Sequence, residues 1–202
     1  MMKNSTMNVP NILSLIRVAL VPLFVLSLLL MRDIEVWGFI VPALVYVITG
    51  LTDMLDGKIA RKYNLVTDFG KFIDPLADKF MVLSSMIAIL LWMCLRGDTA
   101  LALVFVWVVL VILLRELGVT SLRLVVAGNS GIVVAASLLG KIKTVSQMVG
   151  TVAIIVEPML ILPVFTEYHV LSYACMAVMA FTTLFSGIDY LKAYLPYINS
   201  NK

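Results

Sequence analysis

Four aspartates carry the chemistry of this chain. Asp53, Asp56, Asp74 and Asp78 fall inside one short window of an otherwise apolar sequence, at separations of three, eighteen and four. At about 100° of turn per helical residue, Asp53 and Asp56 share one helix face, and Asp74 and Asp78 share another. On one straight helix Asp53 and Asp78 would stand about 38 Å apart, too far to cooperate. The chain therefore has to turn between them, and Lys62 to Phe69 offers the place: Asn64, Thr67 and Asp68 suit a turn and the cap of a following helix. Two antiparallel helices then bring four carboxylates together. Such a cluster beside a membrane is unfavourable unless cations neutralise it, and a ligand set of oxygens alone, without His or Cys, favours hard divalent ions such as Mg²⁺, Mn²⁺ or Ca²⁺.

Small and basic residues surround the acids. Gly57 and Ala60 follow Asp53 by four and seven, and Gly70 precedes Asp74 by four, so bulk is missing on the acidic faces. Lys58, Arg61, Lys71 and Lys79 add positive charge beside them. The expected guest is anionic and bridged by metal, a phosphate or pyrophosphate.

Composition fixes the setting. Of 202 residues, 62% are hydrophobic and 13% charged, which excludes an ordinary soluble domain and predicts an all-α integral membrane protein of one domain, residues 1–202. Six spans are expected: Ile12 to Met31, Val36 to about Leu55, Phe72 to Leu95, Thr99 to Leu114, Val145 to about Leu162, and His169 to about Ile188. The N-terminal run is longer than a signal core, and no small-residue cleavage pattern follows it. Leu117 to Leu139 is the weakest segment, expected to extend the fourth helix and break at Gly128. Pro75 is expected in the first turn of its helix, Trp92 at the far interface, and Trp107 in packing. Cys94 and Cys175 read as buried, inert thiols, and His169 as a lone residue at the outer end of a span, remote from the four aspartates. With both termini cytoplasmic, only Arg32 and Arg96 among the cations fall outside, so charge favours that orientation and a site on the cytoplasmic face. The net charge of +3 gives no reason to expect nucleic acid.

Two further polar sets lie outside the window. Asn11, Ser14 and Arg17 are three apart on the first helix, either an N-cap with a snorkelling arginine or a functional stripe. Arg115, Arg123, Lys141 and Lys143 gather on the cytoplasmic side, either as topology determinants or as an anion subsite for an acceptor bearing a phosphate. A cation transporter would spread its acids through the bilayer depth, whereas these cluster at one edge.

Asp53, Asp56, Gly57, Ala60, Arg61, Gly70, Asp74 and Asp78 match D-x-x-D-G-x-x-A-R-(x8)-G-x-x-x-D-x-x-x-D at every spacing. By this signature the chain resembles the CDP-alcohol phosphatidyltransferase family, and eight positions fixed over 26 residues make the match specific. The resemblance implies a bacterial plasma-membrane enzyme that uses CDP-diacylglycerol, works with two Mg²⁺ or Mn²⁺ ions, and forms homodimers among membrane lipids. It implies Asp53, Asp56, Asp74 and Asp78 as metal ligands, with Asp78 also the general base. It further implies Asn11, Ser14, Arg17, Gly57, Ala60, Arg61, Thr67 and Gly70 at the CDP-diacylglycerol. The R-E-L-G-V-T-S-L-R and G-K-I-K-T segments resemble the branch of the family whose acceptor is sn-glycerol 3-phosphate, with Arg115, Arg123, Lys141 and Lys143 holding its phosphate. A sibling acting on inositol phosphate, serine or a lipid is the alternative.

Overall fold

The computed structural model describes residues 8–63, 67–130, 137–160 and 162–199, with side chains at 54–62, 68, 71, 127, 129–130, 163, 166 and 196–199 outside the description. The described residues are almost all helical and include no strand: α1 (Val9–Leu30), α2 (Trp37–Tyr63), α3 (Asp68–Arg96), α4 (Thr99–Ser130), α5 (Leu138–Val156), a short α6 (Pro163–Thr166) and α7 (Val170–Asn199). Five of the helices are long and apolar enough to cross a membrane, and the apolar part of α2, Trp37–Asp53, makes a shorter sixth. The six-helix expectation holds on that basis.

Several helices run past the expected bounds, because hydropathy marks only the part of a helix that sits in hydrocarbon. A 30 Å apolar layer takes about 20 residues. At 32 residues α4 is about 48 Å long. It passes Gly128 without breaking there and carries Glu116 and Arg123 on the same continuous helix. The acidic pair that was expected at the end of α2 lies inside it, since α2 continues to Tyr63. Starts are set by side-chain caps. The Thr67 hydroxyl accepts from the Gly70 N–H at 3.0 Å, and the Ser137 hydroxyl from the Gly140 N–H at 3.1 Å. Because α3 begins at Asp68, Pro75 lies two turns inside the helix and not in its first turn.

α1 is the element the acidic helices share: it packs on α2 and on α3, while α5 and α4 pack on α7. Among the described residues, α1 joins the two acidic helices by packing on both. Between helices in lipid the driving force is shape and polar contact, since apolar surface costs little there. The interior is accordingly a packed set of large side chains, among them Phe24, Leu28, Trp92, Phe105, Ile112 and Met179. Trp92, in the last turns of α3, belongs to this core, 2% exposed and edge-on to Phe39. Trp107, expected to pack, is 71% exposed, and Cys94 is an exposed thiol while Cys175 is half-buried. A planar ring or a small thiol suits a lipid-facing position as well as an interior one, so residue type alone does not separate the two.

The end of the bundle away from the aspartates has its own polar joint. Glu157, fully buried, accepts from the N–H groups of Leu171 and Ser172 at 2.7 and 3.0 Å and from the Ser172 hydroxyl, capping the start of α7. His169 lies at this end, away from the aspartate cluster, with ring nitrogens 3.8 Å from Asp98 Oδ1 and 3.9 Å from Glu157 Oε2.

Candidate active site

The three polar residues of α1 all meet the acidic window. Asn11 donates through Nδ2 to Thr67 Oγ1 at 2.8 Å. One turn on, the Ser14 hydroxyl donates to Asp74 Oδ1. One turn further, Arg17 Nη1 reaches Asp53 Oδ1 at 2.9 Å and also pairs with Asp78 Oδ1. The i, i+3 spacing read from the sequence is what lets one helix face address α2 and α3 together. Arg17 is completely buried, so it does not snorkel; it serves as the counter-charge of two carboxylates. Asp53 and Asp78 remain 38% and 52% exposed in their side chains. One nitrogen contacts both, so their oxygens converge on a single point from different helices.

Gly70 belongs to this fit. A Cβ there would lie 2.7 Å from Asn11 Oδ1 and 3.2 Å from Thr67 Oγ1, closer than ordinary contact, so only glycine lets α1 approach the start of α3. Thr67 thereby acts twice, as cap and as acceptor from Asn11. The side chains of Asp56, Gly57, Ala60 and Arg61 lie outside the described residues, although their backbone is part of α2. Among the described residues no three His, Cys, Asp or Glu side chains are arranged to hold a metal ion. Asp53, Asp74 and Asp78 alone do not close a cage.

A second charged group lies at the same end, on α4, α5 and α7. Glu116 Oε1 accepts from Arg115 Nη1 at 2.9 Å and from Lys143 Nζ. Arg115 Nη2 donates to Ser186 Oγ at 2.7 Å, and Arg123 Nη2 to the Tyr190 hydroxyl at 2.8 Å. Lys143 is 4% exposed on α5, a helix that packs on α2 and also contacts α3. The acidic and basic groups therefore lie on helices that touch. Three of the four basic residues singled out in the sequence come together here; Lys141 does not, being exposed on another face of α5.

Sequence reading missed Glu116, Tyr190 and Ser186. Glu116 had a signal, since an acid directly after Arg115 in an apolar run needs a partner. Tyr190 and Ser186 had none: each comes near the basic residues only because α7 packs on α4. Beside the acids, an apolar cleft of about 380 Å³ opens between α2 and α5, lined by Val47, Leu51, Met148 and Val152.

An all-helical membrane bundle with carboxylates from two helices gathered at one end, beside a basic group, is the setting in which the known relatives enter. The family model for CDP-alcohol phosphatidyltransferase matches residues 7–186. The chain belongs to the CDP-alcohol phosphatidyltransferase family. It is 40% identical over 192 residues to the CDP-diacylglycerol--glycerol-3-phosphate 3-phosphatidyltransferase of Bacillus subtilis (strain 168), covering 91% of this chain and 93% of that one. It is 35% identical over 184 residues to the probable phosphatidylglycerophosphate synthase of Mycobacterium tuberculosis (strain H37Rv), covering 91% and 80%. To the CDP-diacylglycerol--glycerol-3-phosphate 3-phosphatidyltransferase of Pseudomonas fluorescens it is 32% identical over 202 residues, covering 96% and 94%.

Proposed function

We propose that this chain transfers the phosphatidyl group of CDP-diacylglycerol to sn-glycerol 3-phosphate, giving phosphatidylglycerophosphate and CMP. The observation that carries the acceptor is the buried Lys143 and half-buried Arg115, both held by Glu116 at the same end as the acidic group. Serine or free inositol needs no such cations; a phosphate does. The names of the relatives point the same way.

The acceptor hydroxyl attacks the phosphorus that bears diacylglycerol, the bond from that phosphorus to the CMP oxygen breaks, and CMP leaves. Asp78 takes the hydroxyl proton as general base and later releases it to water. Arg17 holds Asp78 and Asp53 at one point, and Ser14 holds Asp74, so the three carboxylates are oriented before substrate arrives. The donor chemistry fits a hard divalent cation, because oxygens from two helices already converge on a positive nitrogen. Asp53, Asp56, Asp74 and Asp78 would hold two Mg²⁺ or Mn²⁺ ions, which when bound supply charge stabilisation of the attacking and leaving oxygens. The polar face of α1 with Gly57, Ala60, Arg61, Thr67 and Gly70 would receive the CDP moiety, and the α2–α5 cleft suits an acyl chain. Cations concentrate at this end of the bundle, with Arg32 and Arg96 at the other, which supports a cytoplasmic site and cytoplasmic termini in the plasma membrane. The working assembly in this reading is a homodimer.

The test is product formation by purified protein with CDP-diacylglycerol and Mg²⁺, offered glycerol 3-phosphate, serine, inositol and inositol phosphate in parallel. Phosphatidylglycerophosphate is expected from glycerol 3-phosphate alone, and Asp78→Asn is expected to lower its rate by about 10³-fold. CMP release with a different acceptor would overturn the acceptor assignment and keep the chemistry; no CMP release at all would overturn both.

A further inference from the structure

Tyr190 reads from the sequence as one of three tyrosines at interface height after the last span. The structure instead buries it, 3% exposed, among charges. The guanidinium carbon of Arg115 lies over its ring at 5.2 Å from the centroid, and that of Arg123 at 4.9 Å. Its hydroxyl accepts from Arg123 Nη2 at 2.8 Å and from the Ser137 N–H at 3.3 Å, the residue that caps α5. Tyr194 stacks beside it, with ring centroids 6.3 Å apart and 17° between planes. Gly140 completes the seat: a Cβ there would meet the Tyr190 hydroxyl at 3.2 Å and Cε2 at 3.3 Å.

Helix packing alone would need only an apolar side chain at this position, as Val119 and Val126 supply nearby. Two arginines over one ring, one of them also bonded to its hydroxyl, are a different matter. Cations are attracted to the face of an aromatic ring, more strongly as water is excluded. Tyr190 therefore limits the rotation of two long side chains that would otherwise lose that freedom only when an anion binds.

We propose that Tyr190 is a positioning residue for the acceptor, holding Arg115 and Arg123 in place for the phosphate of glycerol 3-phosphate. This rests on the reading in which those arginines bind the acceptor. The ring and the hydroxyl make separable contributions. Tyr190→Phe removes the hydrogen bonds from Arg123 and from the Ser137 N–H and keeps the ring under both guanidinia, whereas Tyr190→Leu removes the ring contacts as well.

The experiment measures kcat, KM for glycerol 3-phosphate and KM for CDP-diacylglycerol on the full chain in detergent with Mg²⁺, for both variants, for Arg115→Ala and Arg123→Ala, and for Tyr190→Phe combined with Arg123→Ala. Tyr190→Phe is expected to raise KM for glycerol 3-phosphate about fivefold, the loss of the one ordinary hydrogen bond that holds Arg123, with KM for CDP-diacylglycerol within about twofold. Tyr190→Leu is expected to raise it further. In the Arg123→Ala background Tyr190→Phe is expected to add nothing to KM for glycerol 3-phosphate, since the arginine that the hydroxyl positions is already gone and the Ser137 N–H it also holds touches neither arginine. If both arginine variants raise KM for glycerol 3-phosphate while Tyr190→Phe leaves it unchanged, or adds its full effect without Arg123, Tyr190 is a packing residue and the proposal falls alone. If neither arginine variant raises it, the acceptor reading falls, and the role of Tyr190 with it. Should Tyr190→Leu not fold, Tyr190→Phe and the double variant still decide.

Discussion

Two charged groups stand next to each other at one end of this bundle, built in opposite senses. On α1, α2 and α3 a single buried cation, Arg17, is set among Asp53 and Asp78, with Asp74 held by Ser14. On α4, α5 and α7 a single carboxylate, Glu116, is set between Arg115 and Lys143, with Arg123 held by Tyr190. Among the described side chains in contact, each group contains one charge of the minority sign, enough to fix geometry and too little to neutralise it. The acidic group keeps a surplus of negative charge and can take cations; the basic group keeps a surplus of positive charge and can take an anion directly. An enzyme joining a pyrophosphate donor to a phosphorylated acceptor needs both, because two anions must approach each other.

Removing the minority charge from the acidic group is the most severe way to test this picture. In Arg17→Met, Asp53 and Asp78 lose their shared partner and repel. Breaking a buried pair costs about 3–5 kcal/mol, and because both carboxylates are partly exposed the expected loss is nearer ~2 kcal/mol. Loss of their common anchor also displaces the groups that do the chemistry, so kcat/KM is expected to fall by about 10²-fold or more. Thermal unfolding in detergent separates this from a general packing defect. Added Mg²⁺ should raise the midpoint of Arg17→Met by more than it raises that of the parent, since uncompensated carboxylates gain more from a cation. An equal shift in both would mean that Arg17 does not hold the acids.

In the basic group the corresponding change is Lys143→Ala. Lys143 is buried and donates to Glu116, and a hydrogen bond to a charged group contributes about 1.5–3 kcal/mol. KM for glycerol 3-phosphate is expected to rise about 10- to 100-fold, with KM for CDP-diacylglycerol within about twofold. Comparable increases in both would merge the two groups into one site and break the comparison.

The two groups also differ in how openly the sequence displays them. The acids lie in one continuous window, where helix period and polar spacing show which residues share a face. The α1 stripe was equally visible, though its burial against the acids was not: nothing in the spacing of Asn11, Ser14 and Arg17 says that α1 lies between α2 and α3. The basic group is assembled from residues as far apart as Arg115 and Tyr190, joined only by helix packing, so Ser186 and Tyr190 gave no local pattern to read and Glu116 only its place after Arg115. Helix ends were blurred for another reason. Thr67 and Ser137 cap α3 and α5 outside the hydrocarbon layer, where hydropathy falls silent and cap chemistry takes over.

Gly70→Ala tests the contact that closes the acidic group from behind. Alanine gains about 1 kcal/mol of helix propensity over glycine, while a Cβ 2.7 Å from Asn11 Oδ1 forces Asn11 off Thr67 and loses about as much. The midpoint of unfolding should therefore hardly move. Activity should fall several-fold, about the effect of one lost positioning hydrogen bond, because Asn11 carries the end of the stripe that orients Asp74. A stability loss with unchanged turnover would assign Asn11 and Thr67 to folding alone.

The smallest expected effect separates two lysines that the sequence treated alike. Lys141 and Lys143 lie two apart on α5, about 200° around the helix, so one side chain can face the basic group only if the other faces away. Lys143 does so, 4% exposed and paired with Glu116, whereas Lys141 is exposed. An exposed charge is screened within about 10 Å at ordinary ionic strength and contributes little to a neighbouring site. Lys141→Ala should therefore change KM for glycerol 3-phosphate by less than about twofold, and that small change should vanish as salt is raised. A large, salt-insensitive rise would place Lys141 among the residues that touch the acceptor and would mean that α5 turns its other face to the site when substrate binds.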